Sequence, residues 1–128
     1  MGIPVSESII KYGHFSGKDI KRMVLDIAKE NVTAIVCISD VLASNAINEL
    51  TKAGYRVPQD ISITGYDNLP ISECCVPPLT TTIYQNRLHI GKAAFFTLQQ
   101  IKSGIQISSV QLHTRLVERG SVADINQH

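Results

Sequence analysis

The chain predicts an α/β fold, a three-layer parallel sheet with flanking helices, and two observations carry that prediction. Segments with apolar residues at helical spacing alternate with short β-branched runs, in the order helix, strand, helix, strand, with short connections. The runs TAIVCI (33–38) and ISIT (61–64) are strand-length and rich in β-branched residues, and the first is apolar almost throughout. That composition is expected of strands covered on both faces. Right-handed crossovers between such strands give a parallel sheet. At 128 residues the chain fits one domain, burying roughly two-thirds of its unfolded surface.

Residues 16–30 predict the first helix. Ser16 followed three positions later by Asp19 suggests a capping box, and Ile20, Met23, Val24 and Ile27 form one apolar stripe. After the strand 33–38, Asp40 is expected to cap a second helix from Val41 to Ala53. Its stripe is Ala43, Ala46, Ile47 and Leu50, and Gly54 supplies a left-handed stop. Pro58 ends the connection to the strand 61–64. Pro77 and Pro78 then break the chain, and TTTIYQ (80–85) reads as extended. Asn86 is expected to cap a long helix to about Lys102. Ile90, Ala93, Ala94, Leu98 and Ile101 form its stripe, widened by Phe95 and Phe96, and Gly104 ends it. A last strand is expected with Val110, Leu112, Leu116 and Val117 as its apolar positions.

A formal charge of +1 with both signs interspersed gives no electrostatic footprint for nucleic acid. No apolar run approaches the roughly 20 residues of a membrane span, and MGIPVSESIIKYG lacks the features of a secretory signal. A cytoplasmic protein is expected. Cys37, Cys74 and Cys75 form neither a zinc spacing nor a disulfide framework. Cys37 fits a small buried hydrophobe; the adjacent Cys74 and Cys75 leave a vicinal disulfide as the less favoured alternative. His14, His89, His113 and His128 are scattered, so no metal and no cofactor are expected. CISDVLAS (37–44) contains no glycine-rich phosphate loop, and no nucleophile elbow is present, which argues against an enzyme.

In open parallel sheets ligands sit beyond the carboxyl ends of the strands. Two acidic residues occupy that rim, Asp40 after the first strand and Asp67 after the second. This points to a binding cleft.

Several motifs stand in order along residues 3–121. Phe15 precedes the first helix, and the first strand ends at Asp40. The second helix closes with Ala53-Gly54, followed by V-P-x-D at Val57, Pro58 and Asp60. Next come G-Y-D (Gly65, Tyr66, Asp67), P-P-L-T-T (77–81), Gln85, and L-V-x-R-x-S at Leu116, Val117, Arg119 and Ser121. In this order and spacing they resemble the effector-binding domain of the LacI/GalR family of bacterial transcription regulators. The resemblance implies a periplasmic-binding-protein-like clamp, in which two α/β lobes close on a small effector and three strands cross between them. Residues 1–84 and 110–121 would form the C-terminal lobe, and 86–104 a crossover helix of an N-terminal lobe whose other residues are absent. The family's DNA-binding helix-turn-helix is absent as well.

The resemblance makes Asp67 an effector ligand accepting hydrogen bonds from a sugar hydroxyl or nucleobase; alternatively it is a turn residue beside Asn68 and Pro70. Ser39 stands where many members carry an effector-contacting Asn, and its reach is shorter. Asp40 is a second effector candidate, although a helix cap is favoured. Phe15 either stacks on the effector or forms a hydrophobic staple. Gln85 either contacts ligand or braces the hinge, and Arg87, if it faced the cleft, would favour an anionic ligand. The helix 41–53 and the loop 69–78 resemble the family's dimer surfaces. Ala43, Ile47, Leu69 and Ile71 are therefore interface candidates, the alternative being a loop folded on its own core. The expected function is part of a sugar- or small-molecule-responsive repressor acting as a homodimer, whose DNA contact lies elsewhere. A solute-binding protein of a sugar transporter is the alternative. The apolar helix 87–102 is expected to be hidden by dimerisation, by swapping, or by folding back on its own sheet, because each such side chain loses about 1.5–3 kcal/mol when exposed.

Overall fold

The computed structural model describes residues 6–13, 16–84, 87–107 and 109–124, with the backbone alone for 84 and 87–89. A 3-10 turn, Glu7–Ile9, is followed by α1 (Gly17–Ala28), β1 (Ala34–Val36), α2 (Asp40–Lys52) and β2 (Ser62–Tyr66). Then come α3 (Ile71–Cys74), β3 (Thr80–Tyr84), α4 (Arg87–Lys102) and β4 (Thr114–Val117). The sheet order is β1-β2-β3-β4. β1, β2 and β3 are parallel, with Ile35 opposite Ile63 and Gly65 opposite Thr81. β4 runs antiparallel to β3, with Thr82 opposite Leu116. The expected α/β sheet with flanking helices is present, and its fourth strand makes it mixed.

Local chemistry accounts for the helices. The Ser16 hydroxyl accepts the Asp19 N–H at 3.3 Å and donates to the Asp19 carboxylate at 2.6 Å, so the capping box holds α1 at its first turn. Ile20 and Val24 of α1 are buried against Ala43, Ala46, Ile47 and Leu50 of α2, and Ile35, Ile63 and Leu79 complete the core. Gly54 ends α2 with φ +92°, a backbone conformation that glycine adopts without a Cβ penalty.

Several expectations need correction. Residues 33–38 are not covered on both faces: Ile35 is buried under the helices, whereas Val36 is 83% and Ile38 74% exposed. The helices cover the Ile35 side, and among the described residues β1 is an edge strand. The last strand begins at Thr114, because Val110 and Leu112 instead face Ile90, Ala94 and Leu98 of α4 across a shallow apolar groove. The loop 69–78 contains the single helical turn α3, too short for periodicity to reveal. Helix α4 does not fold back: Phe95, Phe96, Leu98 and Ile101 are each more than half exposed, and α4 packs extensively on no other element.

The V-P-x-D turn is closed by Asp60, whose carboxylate accepts the Arg56 N–H at 2.7 Å and a guanidinium bond at 2.6 Å. These bonds hold the Asp60 carboxyl below its ordinary value, the side-chain hydrogen bond from Arg56 contributing most. A depressed carboxylate adds stability above its unfolded pKa and loses it as pH falls through the folded one. Asp60→Asn therefore flattens the acid limb of a plot of melting temperature against pH and leaves the shape above neutrality unchanged; an unaltered acid limb refutes the assignment.

All three cysteines are free, and burial pushes the Cys37 thiol up to about 12. Thiolate is the reactive form. In native protein at pH 8, iodoacetamide should modify the exposed Cys74 and leave Cys37 unmodified until denaturant is added, as read by peptide mass spectrometry.

Candidate functional site

The rim of the sheet is built where β1 and β2 end. Ser39, leaving β1, is the N-cap of α2: its hydroxyl accepts the Leu42 N–H at 3.2 Å. The expectation that Asp40 caps this helix is thus corrected by one residue. Asp40 sits in the first turn, fully buried, and its carboxylate turns inward to the sheet. One oxygen accepts the Leu69 N–H at 2.6 Å and the other accepts the Thr81 hydroxyl. Buried carboxylates persist only when their oxygens are paired in this way. Gly65 is required beneath it. A Cβ there would run into the Asp40 carboxylate and come within 2.8 Å of Leu79 Cδ2.

Asp67 follows β2, exposed, with its N–H donating to the Thr82 carbonyl at 2.8 Å. Its φ is +102°, and Asn68 follows at +49°. A non-glycine residue held at such a φ costs on the order of 1–3 kcal/mol and persists only where its surroundings fix it. The fixing groups are on either side: β3 takes the Asp67 amide, and Asp40 takes the amide of Leu69.

A second network holds the far side of the same turn. The Arg119 guanidinium, 15% exposed, donates to the Asn68 side-chain oxygen at 2.8 Å, the Leu79 carbonyl at 3.0 Å, Ser72 Oγ at 3.2 Å and Glu73 at 3.2 Å. Its backbone N–H donates to the Thr80 hydroxyl, which in turn donates to the Arg119 carbonyl. Ser121, fully buried, donates to the Ile63 carbonyl at 2.6 Å and accepts the Thr80 N–H at 2.8 Å, linking β2 to β3.

The structure thus brings Asp67, Ser39 and Asp40 to one edge of the sheet. Phe15 and Gln85 lie outside the described residues, as does the side chain of Arg87. Of the interface candidates, Ala43 and Ile47 are corrected: both are buried in the chain's own core. Leu69 is half-buried, while Ile71 and the neighbouring Val76 are exposed beside a small groove between α2 and α3. Thr81, Arg119 and Ser121 carry roles that sequence reasoning did not assign, although all three belong to the sequence motifs P-P-L-T-T and L-V-x-R-x-S. Among the described residues no cluster of His, Cys, Asp or Glu could hold a metal, and no helix is long and apolar enough to cross a membrane.

The crowding at Gly65 gives a double-mutant test. Asp40→Ala leaves the Leu69 amide and Thr81 hydroxyl without their acceptor and should cost about 1–3 kcal/mol. Gly65→Ala should cost a similar amount, about 1–3 kcal/mol, by overpacking. The double variant should lose clearly less than the sum, because Asp40→Ala removes the obstructing carboxylate. Strict additivity in urea titrations would show that the two residues do not compete for one space.

The profile of the periplasmic binding protein-like domain family matches residues 3–122. The HTH-type transcriptional repressor PurR of Photorhabdus laumondii is 39% identical over 127 residues, covering 95% of this chain and 37% of the repressor. PurR of Vibrio atlanticus is 38% identical over 100 residues, covering 77% of this chain and 30% of its own length. This chain thus spans about a third of the length of these relatives. Among solved structures, the lac repressor dimer bound to operator and the anti-inducer ONPF superposes with a TM-score of 0.73 at 31% identity, over 88% of this chain and 40% of that one. The Escherichia coli repressor ascG shares the fold, with a TM-score of 0.76 at 23% identity over 95% of this chain and 45% of that one. Matched across almost its whole length, the chain belongs to the periplasmic binding protein-like domain family, and its relatives are LacI-family transcriptional repressors.

Proposed function

We propose that this chain supplies one wall of a small-molecule effector site in a DNA-binding transcriptional regulator, with a sugar or related compound as the effector. The observation that carries the proposal is Asp67: an exposed carboxylate held at φ +102° at the carboxyl end of β2. Strain of this kind is retained where a side chain must be aimed. In this reading Asp67 accepts effector hydroxyl or N–H groups and the Ser39 hydroxyl adds a second contact. Asp40, being buried, acts by holding the turn rather than by touching ligand. Phe15 and Gln85 would supply further contacts.

The domain reading follows the same line. Residues 1–84 and 110–121 form one lobe and 86–104 a crossover helix of the other, which accounts for the exposed apolar face of α4. Burial of that face against a second lobe or a second copy, and a homodimer contact through Leu69, Ile71 and Val76, belong to the whole regulator. So does DNA binding, through a separate domain that couples to effector occupancy by differential affinity for two lobe arrangements. The regulator acts in the cytoplasm and is not an enzyme; the repressor relatives support both.

The test is a chimera in which residues 3–122 replace the matching part of the Photorhabdus PurR. Its operator affinity should respond to at least one member of a panel of monosaccharides, disaccharides and nucleobases, and Asp67→Ala should abolish the response. A chimera that binds operator and ignores the whole panel would count against the effector role. Asp67→Gly separates function from strain. It should lose the response yet raise stability by about 1 kcal/mol, since glycine accepts the positive φ; a loss of stability would contradict the strain argument.

A further inference from the structure

Arg119 is a charged group held where water hardly reaches it, and its partners are mostly neutral. Its guanidinium is 15% exposed, while the one carboxylate it meets among the described residues, Glu73, is 71% exposed. An exposed partner of that kind contributes little, so it does not offset the cost of burying the charge. The compensating bonds go to uncharged oxygens, and the shortest of them, at 2.8 Å, is accepted by the side chain of Asn68. The backbone of Arg119 is itself anchored. Its N–H donates to the Thr80 hydroxyl at 2.9 Å, and its carbonyl accepts from the same hydroxyl at 3.2 Å. A link therefore runs from β3 through Arg119 to Asn68, the residue after Asp67.

We infer, on the reading of Asp67 as an effector contact, that Arg119 is a positioning residue for effector binding. Through the Asn68 side chain it sets the direction in which Asp67 is presented, without touching the effector itself. Asp67 and Asn68 both have positive φ, +102° and +49°, so the turn has to be held from outside itself. The Asp67 N–H bond to the Thr82 carbonyl and the Leu69 N–H bond to Asp40 fix the backbone before and after Asn68. The Asn68 N–H meets Thr81 Oγ1 at the longer distance of 3.4 Å. Among the described residues, the Asn68 side-chain oxygen is reached by Arg119 at 2.8 Å and by Ser72 at 3.5 Å. The guanidinium bond, short and charge-assisted, is therefore the stronger hold on the middle of the turn. A contact residue fixed in advance loses less freedom when ligand arrives, which raises affinity. Lysine would keep the charge and lose the planar fork that serves Asn68, Ser72 and Leu79 together.

Hydrogen exchange and effector titration together test this. In the full 128-residue chain, Arg119→Lys should speed exchange at the Asp67, Asn68 and Leu69 amides at least about tenfold more than at the Ala46 and Leu50 amides of α2. An equal change at both places would show a merely structural role and overturn the proposal, as would no change at the turn. In the Photorhabdus PurR chimera, Arg119→Lys should raise the effector concentration for half-maximal response about tenfold, with operator affinity in the absence of effector unchanged. Asn68→Gly accepts the positive φ and removes the acceptor, so it should do the same, and it carries both readouts if the lysine variant does not fold. The double variant should be no worse than the poorer single one, because both changes break one link. Additive losses would show that Arg119 does not act through Asn68 and would overturn the proposal. A parent chimera that ignores the whole panel defeats the effector reading and the positioning role with it. Variants that titrate like a responsive parent defeat the positioning role alone.

Discussion

The fold is organised around one buried carboxylate. Asp40 stands in the first turn of α2, yet its hydrogen bonds go to Leu69 after β2 and to Thr81 in β3. Three segments thereby share one acceptor. Without it, the turn carrying Asp67 would have neither the fixed Leu69 amide nor the Thr81 hydroxyl that also meets the Asn68 N–H. Gly65 is the steric counterpart, since only a residue with no Cβ lets β2 pass beneath the carboxylate. The rim geometry, the positive φ of Asp67 and the glycine of G-Y-D are consequences of that single placement.

Arg119 and Ser121 complete the arrangement from the other side. Arg119 ties Asn68, Ser72 and Leu79 together, so the rim turn, α3 and the start of β3 are joined through one guanidinium. Because Glu73 on α3 is also in its reach, the same guanidinium touches the turn proposed to carry the effector contact and an exposed part of the candidate dimer surface. Two surfaces with different proposed partners are thus connected through one planar group, whose fork geometry suits several acceptors at once.

How much of this was legible in the sequence depends on the range of the interaction. The capping box at Ser16 and Asp19, the stripe of α1 and the stop at Gly54 are decided by residues within four positions of each other, and were read correctly. Ser39 and Asp40 are both good caps by type and adjacent, so local chemistry alone could not divide their roles. The division was made by Thr81, 41 residues away. Apolar composition at Val36 and Ile38 suggests burial, yet composition records what a strand can tolerate on each face and not which neighbours are there. Arg119 was visible as a motif residue, but its partners lie 39 to 51 residues earlier and leave no local signature.

Those long separations have a kinetic meaning. Helix α1, β1, α2 and β2 associate through contacts close in sequence. The Ser121 and Arg119 bonds require closing loops of about forty residues or more, whose entropy must be lost before any bond is made. Contacts of that kind tend to form late. The clamp at Arg119 and Ser121 accordingly belongs to the downhill side of the folding barrier, where bonds govern how slowly a native molecule opens and hardly alter how quickly it forms. Arg119 and Ser121, which brace the rim turn from one side, therefore also set the lifetime of the folded state.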